Sequence, residues 1–424
     1  MFDPADPGLR RRRILLVSPL APYPANYGGA QRTAHLLRAL EQFADVDLYL
    51  SVPPPPEDRE ILVRDHHMIG WFAGPSALLT RICRRAVSAI SLPAAAVIAD
   101  SRKVAAVARL VSQRRYDIVV LRYSATACEL NRLRDRIGHT PIVVDTDDLI
   151  DELLQRAVVP SASHRRLRHR VGQLLAWVAS RRERSALRRV GGLWYSADVP
   201  SATLPDMVPS LSLPNIPWLW QADAAGTLEQ AAEPVDFIGV AQFSYRPNFD
   251  GFDWFLREIW PVIRWHRPST TIRLIGLPPP EPHASRWSRI SGVELAGQVG
   301  SVSAHYHVAK IAIAPIQSGG GTKIKVLEAL AFGLPCVVTH HAAYGLGELP
   351  LHIADDAPRF AEICIALFDS RTAREARSAE GVASIATRYS FSRFSERVGE
   401  MISLITAGPA QAAYRDHIQP KRSR

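Results

Sequence analysis

Cysteine is scarce in this sequence, and its few cysteines are not paired. The 424 residues include four, at Cys83, Cys128, Cys336 and Cys364, and no two of them stand in a CxxC spacing. A disulfide framework and a structural zinc site both need closely spaced cysteines. The spacing therefore argues against both kinds of site and predicts a protein of a reducing compartment, which we expect to be the cytoplasm.

Long apolar runs are also missing. No run approaches the ~20 apolar residues that a membrane-spanning helix needs. The first apolar stretch, ILLVSPLAP from Ile14, is short and is interrupted by Ser18 and Pro19. This interruption favours a first buried strand over the apolar core of a signal peptide. The composition, 47% hydrophobic and 22% charged residues, is that of a globular protein long enough for two or three domains of about 150 residues.

Acidic residues are outnumbered by basic ones. The chain has 51 lysines and arginines against 41 aspartates and glutamates, a formal charge of +10. Much of the excess lies in Arg10–Arg13, between Arg81 and Arg85, and between His164 and Arg189. A basic balance accompanies nucleic acids, anionic lipid surfaces or phosphate-bearing substrates. Because no zinc-finger, RRM or basic-zipper pattern accompanies these segments, we expect no nucleic-acid partner.

The longest arginine-rich segment, between His164 and Arg189, has the pattern of a helix. Apolar residues recur there at helical spacing, at Leu167, Val171, Leu174, Leu175 and Val178. Two interpretations stay open, a solvated surface helix and a helix that lies on an anionic membrane surface.

Strand and helix patterns alternate along the first half of the chain. The strand Ile14–Ser18, a loop rich in proline and glycine, a helical stretch and the strand Asp45–Leu50 make a βαβ unit. Three further strands are predicted at Asp117–Leu121, Pro141–Asp145 and Gly192–Ser196. Short apolar runs of this kind suit parallel strands that are buried on both faces.

The alternation stops near residue 213 and starts again near residue 235. The prolines of LPNIPWLWQ and the Ala/Gly/Glu/Gln-rich stretch after them predict a linker at residues 216–232, between domains at residues 1–215 and 233–390. The second half has an aromatic-rich helix, FDGFDWFLREIWPVIRW, and five predicted strands: Val235–Val240, Thr271–Gly276, Val293–Gly297, Lys310–Ile316 and Cys336–His340. Two doubly wound α/β domains in tandem are the economical interpretation.

One stretch of the second half, QSGGGTKIKVLEALAFGLPCVVTH from Gln317 to His340, has the pattern of an anion site. Glycines 319–321 let a backbone approach a ligand, Thr322 is a predicted N-cap, and Gly333 and Pro335 end the helix. Helix starts bind anions through free N–H groups and the helix dipole. Lys323 and Lys325 add positive charge, and Glu328 could accept hydrogen bonds from sugar hydroxyls. A bare turn with a Lys325–Glu328 surface pair stays open as the alternative.

This stretch resembles the C-terminal signature of family-four, retaining glycosyltransferases of the GT-B fold, in the branch that reads GGGT-[RK]-x-K-VLEA-x-A-x-G-x-P-VV. The segments VAQFSYRPNFDGFDWFLREIWPVI and GVELAGQVGSVSAHYHVAKIAIAPI are similar to the same branch in order and spacing. The resemblance implies two Rossmann-like domains that face each other across a cleft. It also implies that a C-terminal helix, residues 391–406, packs back on the first domain. We expect residues 407–424 to be a disordered basic tail.

The resemblance assigns roles in the second half. Glu328 matches the second glutamate of the family's Glu-x7-Glu pair, which binds the donor ribose, whereas the first falls at Gly320. The family's Arg and Lys that clamp the donor diphosphate are replaced by Arg246 and Asn248. We expect Lys323 and Lys325 to take over that clamp and to stabilise the leaving diphosphate. The donor-binding residues implied here are Asn248, Gly320, Gly321, Thr322, Lys323, Lys325 and Glu328.

In the first half, PLAPYPANYGGAQR resembles the family's glycine-rich loop between the first strand and the first helix. Gly28 and Gly29 lie at the predicted helix start, where they could meet the donor phosphates or sugar across the cleft. The pair His340 and His341, after the last predicted strand of the second half, is expected to line the same cleft.

The acidic stretch VVDTDDLIDELL leaves three interpretations open. Asp145, Asp147 and Asp148 could hold a divalent ion as a DxD motif does, although that motif belongs to a different glycosyltransferase architecture. Asp147 or Asp148 could cap a helix. Asp147, our candidate for a catalytic contact, and Arg122 could instead bind acceptor or sugar at a strand end.

The resemblance implies a retaining transfer of a sugar from a nucleotide-diphosphate-sugar donor to a glycan or lipid-linked acceptor, of the kind used in cell-surface polysaccharide synthesis. It implies no cofactor and no metal ion. We expect a cytoplasmic protein that can contact the anionic inner face of the membrane through its arginine-rich helices. A GT-B nucleotide-sugar epimerase and a nucleotide-sugar-binding protein without catalysis remain as alternatives.

Overall fold

The computed structural model describes residues 11–25, 27–65, 67–73, 83, 98–149, 166–197, 208–218, 232–320 and 323–407. Seven parallel strands form the first sheet, in the order β3-β2-β1-β4-β5-β6-β7. Their bounds are β1 Arg12–Ser18, β2 Ala44–Leu50, β3 Met68–Trp71, β4 Ile118–Arg122, β5 Ile142–Thr146, β6 Gly192–Tyr195 and β7 Ser210–Ser212. The five predicted strands of this half are present, and β3 and β7 are the short edge strands that the sequence pattern missed.

The first sheet is covered on both faces, which explains its uninterrupted apolar runs. Along β1, Ile14 and Leu16 pack into one core while Leu15 and Val17 pack into the other. All four side chains are fully buried, as strands with helices on both sides require. The helices of this half are α1 Gly28–Glu41, α2 Arg59–Asp65, α3 Ser101–Arg114, α4 Ser124–Glu129 and α5 Arg166–Leu187.

Six parallel strands form the second sheet, in the order β10-β9-β8-β11-β12-β13. The bounds are β8 Val235–Val240, β9 Ile272–Ile275, β10 Val293–Gly297, β11 Ala309–Ala314, β12 Cys336–Val338 and β13 His352–Ile353. The helices are α6 Arg246–Trp254, α7 Trp260–His266, α8 His283–Ser288, α9 Ser303–His307, α10 Ile324–Ala331, α11 His340–Ala343, α12 Ala357–Asp369, α13 Arg371–Arg388 and α14 Phe391–Thr406. The prediction of two doubly wound sheets is confirmed.

The aromatic-rich helix of the second half contains a π-helical segment in its middle, which the sequence pattern does not predict. A π-helical segment, Phe255–Ile259, separates α6 from α7. Pro261 follows it, and a proline within a helix has no N–H to donate and its ring crowds the carbonyl one turn earlier. A π turn relieves that crowding while the helix continues. The faces of Phe252, Phe255 and Trp260 therefore stay in the core.

The last helix, α14, lies against α1 of the first half, which confirms the predicted return of the chain. Ser395 donates a hydrogen bond to Gln42 at the end of α1, and the Arg397 guanidinium donates to the Ser212 carbonyl at 2.6 Å. Close packing at Gly399, where an added Cβ would lie 2.7 Å from Phe43 Cζ, fixes the crossing. The C-terminal helix thus ties the two sheets together.

The arginine-rich helix α5 exposes part of its apolar surface to solvent. Leu174 is 59% and Trp177 53% exposed. The buried face has small and polar residues instead, at Ala176, Ala179, Ser180 and Glu183. Glu183 accepts a hydrogen bond from Ser124 of α4. Small side chains let α5 approach α4 closely, so the larger apolar ones are left toward solvent.

Several predictions fall on residues outside the described ranges. These are the arginine cluster around Cys83, most of the predicted linker (219–231), the basic tail (408–424), and Gly321 and Thr322. The predicted domain boundaries therefore stay predictions. Within the described part of the chain, every helix is too short or too polar to cross a lipid bilayer.

Candidate functional site

A cavity of about 700 Å³ lies between the two sheets, at the carboxyl ends of their strands. On one side, called here the N-terminal side, its lining comes from the loops after β1, β4 and β5. On the other, the C-terminal side, it comes from the loops after β8, β9, β10 and β11. In each sheet the strand order reverses there, between β1 and β4 and between β8 and β11. Open α/β sheets bind ligands at such switch points.

The structure brings most of the predicted site residues into this one cavity. The lining includes Gly28, Gly29, Asp147, Asn248, Gly320, Lys323, Lys325 and Glu328. Gly321 and Thr322 complete the predicted set but lie outside the described residues.

Helix α10 supplies the charged groups of the C-terminal side. It begins at Ile324 with Lys323 in the N-cap position, where no side chain caps it, so Thr322 is one residue too early to be the predicted N-cap. Its end is as predicted. Gly333 has a φ of +75°, and the N–H groups of Gly333 and Leu334 bond back to the carbonyls of Leu330 and Ala329, which is a Schellman motif.

Both lysines of the motif are bound to neutral oxygens. The Lys323 ammonium donates to the Gly320 carbonyl at 2.8 Å, and Lys325 donates to Asn248 Oδ1 at 2.8 Å. Asn248 is itself held by a 2.9 Å bond from its amide to the Gln242 carbonyl. Loss of hydration and the nearby Lys323 lower the pKa of Lys325 to about 7, although Glu328 opposes this. An anion that enters the cavity would therefore stabilise the charged form of Lys325.

Glu328 lies one turn along α10, and it is buried. Only 6% of it is exposed, so the alternative of a Lys325–Glu328 surface pair is wrong. Gln31 of α1 donates to Glu328 Oε1 at 3.3 Å. Burial raises the pKa of Glu328 to about 7, against the lowering effect of Gln31, of the Trp218 backbone N–H and of Lys325. A buried carboxylate with neutral donors can accept further hydrogen bonds.

On the N-terminal side, α1 begins at Gly28, as predicted, and points its first turn at α10. A Cβ added to Gly28 would lie 3.1 Å from Ile324 Cδ1. One added to Gly29 would lie 2.7 Å from Leu20 Cδ1 and 2.9 Å from the Tyr123 hydroxyl. The two glycines therefore allow two helix starts to meet across the cleft, and both starts favour negative charge.

Beside the cavity, two arginines and two aspartates form a quartet: Arg32, Arg122 and Asp145, which are buried, and Asp147, whose side chain is 18% exposed and lines the cavity. Arg32 Nε donates to Asp145 Oδ2 at 3.0 Å, and Arg122 Nη2 donates to Asp147 Oδ2 at 2.6 Å. Burial would raise the pKa of Asp147, but Arg122, Arg32 and a hydrogen bond from Asn215 lower it overall. Asp147 is therefore ionised where it meets the cavity.

The quartet decides between the interpretations of the acidic stretch. Because the Asp145 and Asp147 carboxylates face guanidinium groups, the DxD metal interpretation does not fit their surroundings. No cluster of three or more His, Cys, Asp or Glu that could hold a metal ion occurs among the residues that the structure describes. The helix-cap interpretation stays a prediction, since the chain after Leu149 lies outside the described residues. The geometry favours contact between Asp147 and a ligand hydroxyl.

Three residues predicted near the site are placed elsewhere or act indirectly. The Arg246 side chain is 79% exposed and pairs with Asp250 at 2.8 Å. His340 points to solvent and bonds Asp355 at 2.6 Å between Nδ1 and Oδ2. His341 Nε2 contacts the Gly319 carbonyl at 2.7 Å, so it supports the glycine loop from behind.

The sequence analysis missed several lining residues, among them Gln31, Tyr123, Trp218 and Tyr245. Tyr123, at the end of β4, has φ +72° and ψ 139°, a region that residues other than glycine rarely adopt and that costs about 1–3 kcal/mol. Arg122 lies 3.8 Å from its ring centroid. Position directly after a parallel strand was the available signal for Tyr123.

Comparison with known proteins agrees with this architecture. Residues 235–370 match the family model described as "Glycosyl transferases group 1", and no curated protein sequence matches the chain. Sucrose-phosphate synthase from Thermosynechococcus elongatus superposes with a TM-score of 0.66 at 15% identity, over 92% of this chain and 98% of that one.

Two other solved structures are also similar to the chain. Anabaena HepE, solved in complex with UDP and glucose, has a TM-score of 0.62 at 12% identity over 92% of this chain and 99% of its own. WaaG, a glycosyltransferase involved in lipopolysaccharide biosynthesis, has a TM-score of 0.56 at 14% identity over 93% and 100%. These likenesses show that the chain has the GT-B fold, and the family match to its second half supports a glycosyltransferase.

Proposed function

We propose that this protein is a family-four retaining glycosyltransferase that uses a nucleoside-diphosphate-sugar donor. The observation that carries the proposal is the set Lys323, Lys325 and Glu328 on one helix, facing the glycine start of another across the cavity. Two ammonium groups at a helix start, bonded to a carbonyl and to an amide oxygen, suit a diphosphate, and a buried carboxylate one turn away suits a ribose diol. HepE, with its UDP complexes, offers a precedent for the donor class on this fold.

In this proposal the chain stabilises the leaving group. As the bond between the sugar and the diphosphate breaks, negative charge grows on the phosphate oxygens. Lys323 and Lys325 and the N-terminus of α10 would face that charge in a cavity with little water, where preorganised donors act most strongly. Binding of the diphosphate would raise the pKa of Lys325 above its ligand-free value of about 7 and keep the ammonium charged.

The N-terminal side would receive the acceptor. Asp147 and Tyr123 line the cavity there, and Arg122 holds Asp147 in place, so an acceptor hydroxyl would meet an ionised, fixed carboxylate. We propose a glycan or lipid-linked acceptor of cell-surface polysaccharide synthesis, reached from the cytoplasmic face of the membrane.

Helix α5 supports contact with that membrane face. Its exposed Leu174 and Trp177 lie among arginines, and the Arg181 guanidinium lies 4.8 Å from the Trp177 ring centroid. Exposed apolar residues among cations suit a peripheral anchor on anionic lipid. Vesicles containing phosphatidylglycerol should sediment the protein at low salt and those of phosphatidylcholine should not. Substituting both Leu174 and Trp177 by serine should weaken that sedimentation, and equal sedimentation of the variant would count against the anchor.

Thermal unfolding with nucleotides tests the donor site. The midpoint is measured with UDP, GDP, ADP and CMP and their sugar conjugates, for wild type and for Glu328→Ala. A ligand at about 100 times its dissociation constant adds roughly 2.7 kcal/mol to the free energy of unfolding. We expect one nucleotide to stabilise the wild type and to lose most of that effect in Glu328→Ala. Glu375→Ala, which removes an exposed carboxylate paired with Arg371, should keep it.

Turnover distinguishes the proposal from the two alternatives. Release of the nucleotide with transfer of the sugar at retained anomeric configuration supports a retaining transferase. Formation of an epimer of the donor sugar supports the epimerase. Binding without any product supports a nucleotide-sugar-binding protein, and binding of none of the nucleotides would remove the donor class itself.

A further inference from the structure

Gln31 is the residue through which the N-terminal side reaches the charged groups of the C-terminal side. It lies in the first turn of α1, after the two glycines, and its carboxamide crosses the cleft to Glu328, 297 positions along the chain. Both residues line the cavity. The close approach of Gly28 to Ile324 at the two helix starts brings the short Gln31 side chain within reach.

The rest of α1 is anchored to the N-terminal side, so Gln31 has a fixed base. Its neighbour Arg32 donates to Asp145, to the Leu213 carbonyl at 2.8 Å and to Asn215 at 2.9 Å. At the far end of the helix, Gln42 accepts a hydrogen bond from Ser395 of α14. A helix held at both its middle and its end presents the Gln31 amide at a defined place.

The groups that face Glu328 come from four elements. Gln31 of α1 and the Trp218 backbone N–H donate to its carboxylate, Lys325 lies one turn earlier on α10, and Tyr306 of α9 faces it from behind. Of these four groups, Lys325 alone carries a charge opposite to that of the carboxylate, and its ammonium is bonded to Asn248. The carboxylate therefore depends on neutral donors for its orientation and for its ionisation.

We propose that Gln31 is a positioning residue. By bonding Glu328 across the cleft, it fixes the carboxylate that receives the donor's ribose hydroxyls and keeps that carboxylate ionised. The donor is therefore bound tightly only when the two sides are together. This inference rests on the proposed function, in which Glu328 binds the ribose. Gln31 itself touches the carboxylate and acts on the donor through it.

The proposal predicts an effect on pH dependence that a purely structural role would not have. Removing a donor from a buried carboxylate raises its pKa further. The acid limb of nucleotide binding, which follows ionisation of Glu328, should then move to higher pH. The alkaline limb, which follows Lys325 as it loses its proton, should stay in place, because Gln31 does not contact Lys325. Because Glu328 and Lys325 influence each other's titration, the midpoints of the two limbs are macroscopic values that belong to the pair.

Gln31→Met tests this, because methionine keeps the length of the side chain and removes its hydrogen bonds. Gln31→Glu adds a second carboxylate, and Gln42→Met is the matched control that removes a hydrogen bond at the other end of the same helix. Calorimetric titration with UDP between pH 5.5 and 9 gives the affinity profile of each. At pH 6.5 we expect about tenfold weaker binding for Gln31→Met, the size of one charge-assisted hydrogen bond, and a larger loss for Gln31→Glu.

The acid limb should move up in both Gln31 variants and stay unchanged in Gln42→Met. A uniform loss across the pH range, or an unchanged profile, overturns the proposal. If wild type binds none of UDP, GDP, ADP and CMP, the proposed function fails, and the role of Gln31 is then tested by titration of Glu328 without ligand. In protein labelled with ¹³C-glutamate, with Glu328 assigned through Glu328→Gln, the midpoint of Glu328 should rise by at least about half a pH unit in Gln31→Met. No rise overturns the positioning role.

Discussion

On the N-terminal side of the cleft the buried charges meet charges of opposite sign, whereas on the C-terminal side they meet neutral partners. The quartet of Arg32, Arg122, Asp145 and Asp147 has two charges of each sign within hydrogen-bond distance. Across the cleft, Lys323, Lys325 and Glu328 bond a carbonyl, an amide oxygen and an amide nitrogen. In the first arrangement the charges balance one another, whereas Lys325 and Glu328 in the second have neutral hydrogen-bond partners.

The pKa directions express the same difference. Asp147, next to two guanidinium groups, has a lowered pKa, while Glu328, with neutral donors, has a pKa raised to about 7. Both carboxylates are largely out of water, so burial alone does not distinguish them. What differs is the charge of the hydrogen-bond partner, and a carboxylate with neutral donors keeps lone pairs for the hydroxyl groups of a ligand. The comparison therefore supports a scaffolding role for Arg32, Arg122 and Asp145, and it agrees with the proposal that α10 binds the donor.

The largest expected effect comes from breaking the quartet. Arg32→Met leaves Asp145, which is fully buried, with Arg122 as its remaining cation among the quartet. Removing one partner of a buried ion pair costs about 3–5 kcal/mol, and urea unfolding at pH 7 measures that loss. Arg371→Met, which breaks a pair exposed on both sides, should leave the free energy of unfolding nearly unchanged.

A double substitution sharpens this test. Arg32→Met combined with Asp145→Asn removes the unpaired charge and should recover part of the lost stability, since contacting residues are not additive. If Arg32→Met costs no more than Arg371→Met, the quartet does not balance buried charge, and the contrast between the two sides fails.

The second prediction concerns the C-terminal side, where removal of a charged side chain should not lower the stability of the protein. Lys325→Met removes an ammonium that is bonded to a neutral amide and whose pKa is lowered to about 7. The free energy of unfolding without ligand should stay the same or rise. UDP affinity should fall more than about tenfold, because a charge-assisted bond to phosphate is lost.

Lys310→Met is the control for Lys325→Met, since Lys310 is an exposed lysine that pairs with Asp236 away from the cavity. It should leave UDP affinity unchanged. A loss of stability in Lys325→Met as large as that in Arg32→Met would contradict the comparison, because it would make Lys325 part of the scaffold.

The two sides also differ in how far the sequence predicts them. The fold is predicted almost strand by strand, because parallel strands buried on both faces appear as apolar runs such as Ile14–Ser18. The C-terminal charges could be predicted because they lie within one short motif on α10. The short strands β3, β7 and β13 have too few residues to give a pattern.

The quartet could not be predicted, because its members come from separate elements. Arg32, Arg122 and Asp145 meet only when α1, β4 and β5 are adjacent, and nothing in local spacing indicates that Asp145 faces arginines and not a metal ion. Gln31 was missed for the same reason, since its partner lies on the other sheet. Long-range pairing sets these roles, whereas the glycine motif is set by the local needs of a backbone turn.

The smallest expected effect is the pH dependence of stability when each of two carboxylates, Glu328 and Asp147, is replaced by its amide. It is also the sharpest test of the comparison. A carboxyl group whose pKa is raised on folding stabilises the folded state below its unfolded pKa, and that contribution is lost as the pH rises through the folded value. For Glu328 this window lies between about 4.5 and about 7. Glu328→Gln should therefore gain stability relative to wild type from pH 5 to pH 8, by about 1–3 kcal/mol.

Asp147→Asn should behave in the opposite sense. The pKa of Asp147 is lowered on folding, so its ionised form stabilises the folded protein above the unfolded value of 3.8, and that contribution is lost on acidification. The variant should be less stable than wild type at pH 7, with a deficit that is unchanged down to about pH 4 and narrows only as the pH falls below 3.8 toward the lowered folded value. Urea unfolding at each pH measures both differences against wild type. If the two differences changed with pH in the same direction, partner charge would not separate the two sides, because then burial alone would govern both carboxylates.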